Sequence, residues 1–72
     1  LSFNIMENLL MSKDFKSKEE IMTAAKKAVE ISNKDEKMPL EVKMGYAEAY
    51  KKLEGLSWEE ILEIKDIIGS DD

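Results

Sequence analysis

The chain has 72 residues and a net charge of −5, and it contains no histidine, cysteine or arginine. Those absences remove the usual proton shuttle near neutral pH, the thiol nucleophile and soft metal ligand, and the planar fork that clamps phosphates. One domain at most is expected at this length, with a core that buries only roughly 60% of the unfolded surface and has no disulfide to staple it.

Strand signals are poor, because alternating runs and β-branched clusters are missing. Helix signals are good, and four segments can be placed. The first spans about residues 3–11, with Ser2 as its cap. Ile5, Met6, Leu9 and Leu10 share one side at helical spacing. At under three turns it must dock on something. The stretch Ser12–Lys16 breaks the pattern, and Phe15 within it is expected to plug the core.

The second helix opens on a capping box, Ser17-Lys18-Glu19-Glu20. The Ser oxygen accepts a backbone N–H there, and Glu20 reaches back to the cap. Residues 18–32 are expected to be helical, with Asn33 as the stop. Ile21, Ala24, Ala25, Ala28 and Ile31 line one face. The linker Lys34–Met38 is charged.

The third helix is expected over residues 39–54, with Pro39 at the first helical position, where its missing N–H is not needed. Gly55 is expected to supply a left-handed stop. Val42, Tyr46, Ala49, Tyr50 and Leu53 form the main apolar stripe. Leu40, Met44 and Ala47 form a second, separate one. Gly45 costs about 1 kcal/mol against Ala inside a helix, and such a glycine marks a tight helix crossing.

The fourth helix opens on a second box, Ser57-Trp58-Glu59-Glu60, and spans residues 58–68 with Gly69 ending it and a frayed tail after it. Trp58, Ile61, Leu62, Ile64, Ile67 and Ile68 cover an arc of roughly 220°, where a surface helix needs a stripe a little over about 100° wide. The excess is covered either because this helix is central or because it faces another chain. The fold expected from these segments is all-α, a compact bundle with one short N-terminal helix and three longer ones, in one domain over residues 1–72. The short connections favour antiparallel or sharply angled neighbours.

The segment LEGLSWEEILEI, Leu53–Ile64, resembles the entry to the helix-turn-helix of bacterial sigma-factor-like regulators. The resemblance covers about a sixth of the chain and implies a recognition helix in the major groove. Here GSDD follows, and no arginine is available to read guanine. Taking Gly55–Ser57 as the turn itself would make WEEILEIKDII the recognition helix, and its four acids would face phosphates. DNA reading is therefore an alternative, not the expectation.

Charge is unevenly spread. Residues 1–34 carry six Lys against five acids, and residues 35–72 carry five Lys against eleven acids. This field opposes a phosphate backbone. An acidic mimic of nucleic acid is a further alternative, opposed by the interspersed Lys51, Lys52 and Lys65. Glu59 and Glu63, four apart, read as a solvated helix face and not as an acid–base pair. Asn33–Glu36 lacks the glycine and the terminal glutamate of a calcium loop.

The expected function is a non-enzymatic protein–protein interaction module, an accessory or regulatory protein acting by occupying a partner's surface. The candidate residues are Trp58, Ile64, Ile67 and Ile68, with Leu40 and Met44 as a second patch. Trp is enriched at interface hot spots. The five methionines suit core filling first and adaptable surfaces second. The partner is another protein or a second copy, a homodimer being the simplest version. No cofactor, metal, small-molecule substrate, nucleic acid or membrane partner is expected. No apolar run is long enough to span a bilayer, and no basic region or small-residue cleavage site marks a signal peptide, so a cytoplasmic location is the default. Leu1 is not a start residue, which leaves Met6 or Met11 as alternative starts. Lys, Glu and Ile abundance without Arg fits an AT-rich bacterial or phage genome.

Overall fold

Each of the four periodic segments folds as a helix. A computed structural model describes the backbone of residues 2–69 and the side chains of residues 5–69. The helices are α1 (Ser2–Met11), α2 (Lys18–Lys34), α3 (Leu40–Glu54) and α4 (Trp58–Gly69), with no strand among the described residues. The protein is a small all-α four-helix bundle with a short N-terminal helix. Its radius of gyration is 12.1 Å, close to the roughly 11 Å of a compact chain this long.

The helix starts are written in side-chain chemistry. The Glu60 N–H donates to Ser57 Oγ (3.1 Å), and the Ser57 N–H donates to Glu60 Oε1 (2.8 Å), so the second box closes on itself. The first box is looser. The Glu20 N–H donates to Ser17 Oγ (3.3 Å), but Glu20 Oε1 accepts the N–H of Lys16 (3.1 Å) and not that of Ser17. The extended backbone at Ser17 presents the preceding N–H to the carboxylate instead. The cap assigned to Ser2 rests on side chains outside the described residues, as does the tail beyond Gly69.

The helix ends depart from expectation at four places. Asn33 is helical, and α2 continues to Lys34 before Asp35 leaves the helix in extended backbone. Asp35 then shapes the turn: its Oδ1 accepts the Lys37 N–H (3.0 Å) and its carbonyl accepts the Met38 N–H (3.2 Å). Pro39 caps α3 from just outside, its carbonyl accepting the N–H groups of Val42 (3.0 Å) and Lys43 (3.1 Å). Gly55 is not left-handed. It sits at φ −83°, ψ −6°, and α3 closes by tightening into i→i+3 bonds, Gly55 to Lys52 (3.2 Å) and Leu56 to Leu53 (3.1 Å). Gly69 is the last helical residue of α4 and not the one after it.

The core is Met6, Leu10, Phe15, Ile21, Ala25, Ala49, Leu53 and Ile61, with Ile5, Leu9, Tyr50 and Trp58 among those packed on it. Phe15 does plug it from the loop, with the Lys13 ammonium 5.6 Å from its ring centre. α1 is the hub: it packs against α3, α4 and α2, and α2 packs against α3. Gly45 is buried in α3. The Gly55–Ser57 turn carries α4 away from α3 and onto α1, so sequence neighbours are not packing partners here. On α2 the inner face runs Ile21, Ala25, Ser32, and Ile31 is 59% exposed. Ser32 occupies the buried place because its hydroxyl is satisfied locally, donating to the Val29 carbonyl (2.8 Å).

Candidate functional site

α4 is held by the middle of its apolar arc and leaves both edges outside. Ile61 is fully buried, and Trp58, Ile64 and Ile68 pack partly on the core. Leu62 is 43% exposed and Ile67 69% exposed. At about 100° per residue those two lie roughly 220° apart across the buried strip, so they flank it on opposite sides. α4 is therefore not a central helix. It is a peripheral one whose width exceeds what α1 covers.

The six candidate contact residues divide accordingly. Trp58, Ile64 and Ile68 give much of their surface to the fold. Ile67 gives little. On α3, Leu40 is 72% exposed and Met44 54% exposed, and Ala47 is exposed beside them. Spaced at i, i+4 and i+7, they make one outward stripe, while Ala49 and Leu53 hold the inward face. The two apolar areas sit on helices that are not principal packing partners.

Charge surrounds the α4 area. Glu59, Glu60, Glu63 and Asp66 are all exposed. Together with Leu56, Ile64 and Ile67, three of them (Glu60, Glu63 and Asp66) line a surface groove of about 410 Å³. The periodicity of the fourth helix alone does not reveal this groove, because Leu56 enters it from the preceding turn. Elsewhere, Lys18 Nζ donates to the Glu54 carbonyl (2.9 Å), tying the start of α2 to the end of α3. Lys26, Lys27, Thr23 and Glu30 border a second, polar depression on α2. Among the described residues, no group of three or more Asp or Glu is placed to hold a metal ion, and no helix is long and apolar enough to cross a membrane.

Comparison with known protein families, curated proteins and solved structures finds no match.

Proposed function

We propose that this protein is a non-enzymatic protein–protein interaction module that works by covering part of a partner's surface. The observation that carries the reading is the exposure of Ile67 and of the Leu40–Met44 stripe in a chain with little apolar surface to spare. Large aliphatic side chains at the edge of a helix gain free energy when a second surface excludes water from them.

The acidic alternatives are weaker. A helix-turn-helix reading needs α4 in a groove lined by phosphates, and its four exposed carboxylates oppose that. A nucleic-acid mimic needs carboxylates without interspersed cations, and Lys51 and Lys52 are exposed on α3. Self-association through α4 is also disfavoured, since a two-fold pairing would set the same carboxylates against each other. The α3 stripe, bordered by both Glu41 and Lys51, suits a second copy better.

A photo-crosslinking amino acid placed singly at positions 67, 44 and 26 in cells tests the reading. Discrete adducts with a protein are expected from position 67 or 44, and none from 26. Adducts from none of the three, or the same smear from all, would reject it.

A further inference from the structure

The groove on α4 has an apolar floor and an acidic rim. Leu56 and Ile64 are half-buried and Ile67 is exposed, while Glu63 and Asp66, which also line the groove, are exposed. Glu60 commits one carboxylate oxygen to the Ser57 N–H (2.8 Å). The ion pair found among the described residues, Lys16 with Asp14 (3.2 Å), lies elsewhere. Lys65, between Glu63 and Asp66 in the chain, is half-buried, and among the described residues no ion pair joins a lysine to Glu63 or Asp66.

An apolar floor by itself accepts any hydrophobic occupant, and the rim makes the choice. A second copy docked through a two-fold axis would place carboxylate against carboxylate. Nucleic acid and anionic lipid carry the wrong sign. A cationic occupant gains twice: aliphatic stems of Lys or Arg cover the floor's margins while their heads meet the carboxylates. The groove follows a helix of 12 residues, about 18 Å long, which matches a partner helix of some three turns laid alongside.

We infer that the α4 groove docks an amphipathic helix of another protein, with aliphatic side chains on its inner face and lysine or arginine on both flanks. This rests on the interaction-module reading and names the chemistry of the partner at one of its two surfaces. Rim charges of this kind govern salt dependence and association rate, and the floor governs residence time.

The test uses the full chain and a fluorescent Leu–Lys peptide of about 18 residues, with Leu at helical spacing. Two companions accompany it: a Leu–Glu peptide of the same pattern and a Ser–Lys peptide without the apolar face. Anisotropy is expected to show binding of the Leu–Lys peptide alone. That binding should weaken at least about tenfold in Ile67→Ser and in the double variant Glu63→Lys/Asp66→Lys, and between about 50 and 500 mM salt. Ile31→Ser, at an exposed position of α2, should leave it unchanged. Circular dichroism checks that each variant keeps its helices; if Ile67→Ser loses them, the charge-reversed variant carries the test. Equal binding of the Leu–Glu or Ser–Lys peptide would overturn the inference, as would indifference to both groove variants. So would concentration-dependent self-association of the free protein that Ile67→Ser abolishes. Crosslinks from position 44 without peptide binding at the groove would leave the module reading standing and this inference refuted.

Discussion

Single residues decide where the helices begin. Ser57 makes the reciprocal pair with Glu60, while Ser17 makes a longer bond and its Glu20 reaches past it to Lys16. Replacing an N-cap Ser by Ala typically costs about 1 kcal/mol. Ser57→Ala is expected to lose about that much, and Ser17→Ala no more than Ser57→Ala, in urea unfolding midpoints. Unchanged midpoints for both would show that the caps do not hold these ends. On α2 the buried and exposed isoleucines should differ sharply in their contribution to stability. Ile31→Ser should shift stability by less than about 0.5 kcal/mol, as exposed sites do. Ile21→Ala should cost about 2–5 kcal/mol. The second box was legible in full, and the first only in its Ser17 half, because Ser-x-x-Glu carries its own hydrogen bonds but Glu20 turns to Lys16. The placing of Ser32 inside and Ile31 outside was not, because hydrophobicity alone ranks Ile as the core residue. A serine whose hydroxyl bonds its own helix loses most of its polar penalty.

At the scale of the element, α4 is where pattern and packing diverge. Its apolar arc was readable by counting residues around the axis. Which part of the arc would be covered was not, because that depends on α1 crossing it rather than α3. The Gly55–Ser57 turn suggests adjacent neighbours, and only the tightened end of α3 sends the chain elsewhere. Helix ends were the least readable features for the same reason. Gly55 and Asn33 are residues that can take a left-handed stop, and neither does, because i→i+3 bonds and the Asp35 turn already satisfy the end carbonyls. The buried strip of α4 carries the stability. Ile61→Ala is expected to cost about 2–5 kcal/mol, a large share of what a domain this small has to lose. A loss under about 1 kcal/mol would mean that α4 is scarcely docked.

The whole molecule combines a minimal core with a field that is negative around its last helix. Duplex DNA at about 150 mM salt should show no micromolar complex, since the exposed carboxylates of α4 repel phosphates. A salt-dependent mobility shift at that concentration would contradict this. The all-α class was readable because caps, period and turn residues agree along the chain, which is the condition for a sequence to specify one fold. The surface proposed for interaction was readable only as an excess of apolar residues. Six residues on two helices qualified, and three of them, Trp58, Ile64 and Ile68, turn out to share their surface with the core. Substituting Ile64 would confound folding with binding for that reason. Ile67 separates them.

The claim that α4 holds the fold with one strip and offers another to a partner is tested most directly by the urea unfolding of Ile67→Glu. A charge at a surplus edge should leave the unfolding free energy within about 0.5 kcal/mol of the parent protein, with the same slope. A loss of about 2 kcal/mol or more would place Ile67 among the residues that hold the fold and leave α4 no free edge for a partner.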